Sequence, residues 1–149
     1  MPLFSAKMDY ALRALVDLAL QPVDEACQSR EIAHRQNITG PYLDQILAVL
    51  KREGIIRSIR GAGGGYTLAR GAHRIYLGEI VRAVVGPQLL VSGGSSKLDV
   101  GDGSSSYIIR QFEERTERHL ASYLDSLTLA DLVSDKLRLD ESLSIMPSI

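Results

Sequence analysis

The sequence predicts a mainly α fold with one small β-hairpin, on three observations. Two short amphipathic segments joined by a turn residue occupy residues 29–53, and a hairpin pattern with arginine and glycine at its tip follows at 55–68. A long helical stripe then lies beyond residues 92–106, which hold six serines and four glycines. With 149 residues, 45% hydrophobic and 23% charged, the chain can build one folded core, or a small domain plus an oligomerisation element.

The opening helix, from about Ser5 to Leu20, carries Met8, Ala11, Leu12, Leu15 and Ala19 on one face and is expected to pack behind the elements that follow. Ser29 to Gln36 reads as a short helix with Ser29 as N-cap, Glu31 in the first turn, and Ile32 and Ala33 inward. Asn37 tolerates positive φ and suits a tight turn. The next helix starts at the N-cap Thr39, has Pro41 in its first turn, and runs to about Glu53, where Gly54 supplies a stop. Its apolar residues Leu43, Ile46, Leu47 and Leu50 follow the spacing of a buried face, which leaves Pro41, Asp44, Gln45, Ala48, Lys51 and Arg52 outward.

Between Ile55 and Leu68, apolar and polar residues alternate on both sides of the glycine cluster at 61–65, the period-2 signal of two short strands. Glycine lets the backbone approach a surface closely, and Arg60 can reach past it into a narrow groove. Helix, turn, helix and hairpin in that order make a winged helix-turn-helix.

Tyr76 to Val85 is a further short helix, with Leu77, Ile80, Val81 and Val84 apolar. The long helix is expected from near Ser106 to about Ser126, with Ile108, Phe112, Leu120, Tyr123, Leu124 and Leu127 as a stripe that a solitary helix cannot bury and that a second copy of the chain would cover. Thr128 reads as the N-cap of a last short helix through Leu137, with Leu129, Leu132 and Val133 inward. The expected division is therefore a winged helix-turn-helix at 1–86, a flexible loop at 87–105, dimerisation helices at 106–139 and a frayed tail at 140–149.

At this point the chain resembles the Rrf-type winged-helix bacterial regulators, the IscR/NsrR/CymR-like family. The residues that carry the likeness are Tyr10-Ala11-Leu12, Ile38-Thr39 with Tyr42-Leu43-Asp44-Gln45, Leu50-Lys51 with Gly54, Arg60 through Tyr66, and Gly78-Glu79-Ile80. The likeness covers roughly residues 3–137 and implies a two-fold dimer acting as a transcriptional regulator. Cluster-binding members of the family carry three cysteines between the wing-side helix and the dimer helix, and this chain has none there. Its single cysteine, Cys27, cannot hold an iron–sulfur cluster that needs four ligands, so no cofactor is expected and Cys27 reads as a passive loop residue. The family places its sensor in the segment corresponding to residues 92–106, where a small molecule, an anion or a partner protein could act as effector.

Charge distribution agrees with a nucleic-acid-binding head. Residues 1–85 hold eleven Lys or Arg against eight Asp or Glu, whereas residues 86–149 hold six against ten. A dimer of winged helices would place two recognition helices in successive major grooves of double-stranded DNA and prefer an inverted repeat. Gln45 has the amide to pair with adenine and Asp44 can accept from cytosine, while Pro41 shares their face. Thr39, Tyr42, Lys51 and Arg52 suit phosphates, as do Lys7 and Arg30 near helix starts. Arg60, flanked by Gly61 and Gly63, would read the width of the minor groove.

His34, His73 and His119 are scattered without metal-ligand spacing, and neither a catalytic dyad nor a phosphate-loop ending is present, which argues against an enzyme. The remaining alternative is a winged-helix module that has lost DNA binding and contacts protein through its wing. No apolar run is long enough to span a bilayer, and the first residues lack a signal-peptide pattern, so a cytoplasmic protein is expected.

Overall fold

The computed structural model describes residues 3–90 and 103–146. Six helices and one two-stranded antiparallel hairpin appear, in the order α1 (Ala6–Ala19), α2 (Ser29–Gln36), α3 (Gly40–Arg52), β1 (Ile56–Ile59), β2 (Gly65–Leu68), α4 (Leu77–Val85), α5 (Gly103–Asp125) and α6 (Leu129–Ile145). A 3-10 turn at Ala72–Arg74 joins β2 to α4.

Helix α1 is the hub of the core, packing against α2, α3, β2, α4 and α6. Met8, Ala11, Ala14 and Leu15 are fully buried along it, and Ile32, Leu43, Leu47, Leu50 and Ile80 close over them from the neighbouring helices. Each of the larger side chains taken out of water this way, Met, Leu or Ile, contributes roughly 1.5–3 kcal/mol before conformational entropy is subtracted. Helix ends follow local chemistry. Ser5 Oγ accepts the Met8 N–H at 3.3 Å, Asn37 ends α2 at φ 54°, and Gly54 ends α3 at φ 75°.

Three boundaries differ from the sequence-based expectation. The N-cap of α2 is Gln28, not Ser29; Gln28 is held extended beside the wing and gives its N–H to the Glu31 carboxylate at 2.9 Å. Helix α5 begins at Gly103, so Ser104, Ser105 and Ser106 lie in its first turns, while residues 91–102, most of the expected effector segment, fall outside the described residues. Helix α6 continues past Leu137 to Ile145, so residues 140–145 are helical and only 147–149 of the expected tail lie outside the described residues. Thr128 and Asp131 cap each other's backbone N–H groups at the start of α6, the Lys136–Asp140 and Asp135–Arg138 pairs bridge its later turns, and no helix breaker precedes Pro147.

The expected dimer stripe divides in two. Leu124 is buried within its own chain, with Leu120 and Leu127 half-buried against the same core, because the C-terminal part of α5 packs on α4. Ile108, Phe112 and Tyr123 are about 60% exposed. A second copy is therefore not needed to bury Leu124, which corrects the expectation for that residue.

Candidate nucleic-acid interface

Helix α3 presents Pro41, Asp44, Gln45, Ala48, Lys51 and Arg52 to solvent, and all six are exposed, while Leu43, Ile46, Leu47 and Leu50 anchor the opposite face. Thr39, the exposed N-cap, makes no side-chain capping bond, so its hydroxyl remains available to a ligand at the positive end of the helix dipole. Tyr42 is half-buried with its ring edge-on to Tyr10 of α1, at 5.5 Å between centroids. That contact brings the first turn of α1, with half-buried Lys7 three residues before Tyr10, beside the first turn of α3.

The wing is built by pairing Ile56 with Leu68, Arg57 with Thr67, Ser58 with Tyr66 and Ile59 with Gly65. Gly64 closes the tip by donating to the Gly61 carbonyl at 3.0 Å. Arg60, Gly61 and Gly63 are exposed there. The other edge of β2 is also occupied: Cys27 N–H donates to Tyr66 O at 2.9 Å and Tyr66 N–H to Cys27 O at 2.8 Å. Gly65 is required at this close approach, since a Cβ would lie 2.5 Å from the Cys27 carbonyl oxygen. The wing is thereby fixed to the start of α2, and exposed Arg30 faces it across a shallow groove lined also by Ser29, Ile59, Gly61 and Tyr66.

Behind this surface lies a polar network that sequence reasoning missed. Asp17 of α1, 4% exposed, accepts from Arg35 Nε at 3.0 Å and Nη2 at 2.7 Å, and from Gln36 Nε2 at 2.9 Å. Arg35 Nη2 also donates to Cys27 Sγ at 2.8 Å, and Arg13 donates to the Gln36 carbonyl. Asp17 holds the Arg35 guanidinium even more firmly protonated than usual. Burial pushes the Cys27 thiol up, opposed by Arg35. The Gln28 N–H holds the Glu31 carboxyl below the usual glutamate range. The signal in the sequence was a lone acid on the apolar face of α1, among Ala14, Leu15 and Leu18, which demands a cationic partner. Cys27 is accordingly a structural residue rather than a loop bystander, since its backbone carries the wing and its thiol accepts from Arg35.

Helix α2, the turn at Asn37, helix α3 with its exposed polar row, and the hairpin that packs on α3 through β1 define the class: a DNA-binding regulator of the winged helix-turn-helix type. Residues 4–135 match the Rrf2 family, described as iron-dependent transcriptional regulators, and the chain belongs to that family. A helix-turn-helix-type transcriptional regulator of Synechocystis is 37% identical over 132 residues, covering 88% of this chain and 87% of its own. The transcriptional regulator IscR of Cereibacter sphaeroides is 34% identical over 137 residues, covering 90% and 88%. Among solved structures, CymR, the global cysteine regulator of B. subtilis, superposes with a TM-score of 0.71 at 30% identity, over 90% of this chain and 98% of that one. These relatives are regulators, not enzymes.

The iron in the family description finds no fitting set of ligands among the described residues. One cysteine is present in 149 residues, it is buried against Arg35, and no group of three His, Cys, Asp or Glu among the described residues is placed to hold a metal. Among the described residues no helix is long and apolar enough to cross a membrane.

Proposed function

We propose that this regulator binds an inverted-repeat operator as a homodimer, without an iron–sulfur cluster, and acts in the cytoplasm. The observation that carries the reading is the exposed row Asp44, Gln45, Ala48, Lys51 and Arg52 on a helix whose opposite face is locked in the core, set beside a glycine-rich wing that displays Arg60. In that arrangement Gln45 and Asp44 read base edges in the major groove, with Pro41 at the entry of the helix. Thr39, Tyr42, Lys51 and Arg52 hold phosphates, joined by Lys7 from α1 and Arg30 from α2. Arg60 enters the minor groove, and Gly61 and Gly63 let the backbone follow the sugar edge. The exposed Ile108, Phe112 and Tyr123 supply the dimer contact from α5.

Selection from random duplex DNA, followed by titration of the enriched sequence at several salt concentrations with the parent and Arg60→Ala, tests this. The expected result is an enriched inverted repeat bound with a steep salt slope, and a loss of about 1–3 kcal/mol in the variant. No enrichment, with parent and variant binding equally poorly, refutes it in favour of a protein-contact module. A visible-absorbing cluster in anaerobically purified protein refutes the cluster-free part alone.

A further inference from the structure

Helix α5 is tied to the rest of the chain through two of its own carboxylates. Near its C-terminal end Asp125 accepts from Arg82 of α4 at 2.7 Å. That carboxylate also rests against Gly78 in the first turn of α4, where a Cβ would come within 1.8 Å of Oδ1. Two turns earlier Glu117 spreads its carboxylate over the backbone N–H groups of Leu89, at 2.5 Å, and Leu90, at 3.0 Å. Leu89 is itself buried, as is Leu124 between the two acids.

The turn after α5 is sewn to the head by backbone bonds as well, Leu77 N–H to Leu127 O at 2.9 Å and Leu129 N–H to Ile75 O at 2.8 Å. A helix held at that end alone could swivel about it. Glu117 supplies a second point about 12 Å along the axis, and two points define a direction. Beyond it the shaft runs on with Tyr107, Ile108, Ile109 and Phe112 exposed. Over the 23 residues of α5, about 34 Å, a tilt of roughly 5° displaces the far end by about 3 Å, close to one base-pair step of DNA.

We infer that Glu117 and Asp125 are positioning residues that set the angle between the head and α5 and thereby the half-site spacing the dimer accepts. This rests on the dimeric inverted-repeat reading above. Neither side chain faces DNA in that reading, so they act on where the two heads stand and not on what each head reads.

The test uses the full-length protein and duplex libraries in which the selected half-site is repeated in inverted orientation at varied separations. The parent is expected to enrich one separation. Glu117→Ala and Asp125→Ala are expected to spread enrichment over neighbouring separations, with on the order of tenfold lower preference for the parental one, while affinity for a duplex carrying a single half-site stays within about twofold. Gly78→Ala, which displaces the Asp125 carboxylate without altering its charge, should reproduce Asp125→Ala. Variants that keep the single parental separation overturn the inference, and so does an equal loss of single half-site binding, which would place the effect in the fold of the head. A parent that enriches half-sites with no preferred separation overturns the dimeric operator reading itself.

Discussion

The Asp17–Arg35 pair makes an asymmetric prediction, because its two members sit in different surroundings. The Asp17 side chain is 4% exposed and that of Arg35 39%. Removing Arg35 strands a buried carboxylate with Gln36 as its one remaining side-chain donor among the described residues, whereas removing Asp17 leaves a guanidinium that can swing into water. Breaking a fully buried pair costs about 3–5 kcal/mol, and the partial exposure of Arg35 lowers that figure here. Arg35→Ala should therefore cost about 3 kcal/mol and Asp17→Ala about 2 kcal/mol. For a chain of this size these correspond to losses of roughly 6–12 °C and 4–8 °C in melting temperature. The double variant should cost little more than Arg35→Ala alone, since the second removal deletes the group that the first left unpaired. Thermal and urea denaturation at one fixed protein concentration measure all three. If Asp17→Ala proves the more damaging, or if the two effects add, the reasoning is wrong, because the penalty would then not come from an uncompensated carboxylate.

Gly65→Ala should destabilise by about 2 kcal/mol or more, since φ of 148° and the Cys27 backbone both oppose a Cβ, while Gly63→Ala, which meets open space, should be close to neutral; faster amide exchange at Tyr66 in the first variant alone is the diagnostic reading. Leu124→Ala should cost about 2–5 kcal/mol at every protein concentration because that side chain packs in its own chain, whereas Phe112→Ala should act by changing how melting depends on concentration; a concentration-independent effect at Phe112 would remove it from the subunit contact. The raised Cys27 thiol favours the protonated form in the folded state, so its contribution to stability is complete below the ordinary thiol range and is lost as pH rises through the elevated folded value. Alkylation of Cys27 should accordingly be slow near neutral pH and melting should fall in alkali less in Cys27→Ser than in the parent; rapid labelling near neutral pH would contradict the burial argument.

The head of this molecule was legible in the sequence because each of its features is local. Asn37 at a left-handed turn, Gly54 at the end of α3, and the 43, 46, 47, 50 spacing all act within a few residues, and the structure places each as expected. The exposed face of α3 followed from that spacing, since what is not buried on a helix of one turn-period must face outward. What escaped was long-range. Leu124 belongs to the same helical stripe as Phe112, and periodicity cannot say that α4 covers one and not the other. Asp17, Arg35 and Gln36 meet only because α1 and α2 cross, and Gln28 becomes an N-cap only because Cys27 beside it is paired with Tyr66. Helix α6 outran its expected end for a different reason. Its later turns lack an inward apolar face and are bridged by surface charge pairs, a weaker pattern than the one used to bound it.

The double pairing of β2 has a consequence for how the wing can vary in length and content. Tyr66 is held by Ser58 on one side and by Cys27 on the other, so inserting or deleting one residue within 65–68 would put two ladders out of step at once and turn Tyr66 and Leu68 to the wrong face. The tip obeys no such constraint at Gly63, around which space is open. A new side chain can therefore be placed at Gly63 while the Gly61–Gly64 bond closes the tip and the strands keep their alignment. The wing is thus a replaceable tip on a fixed handle.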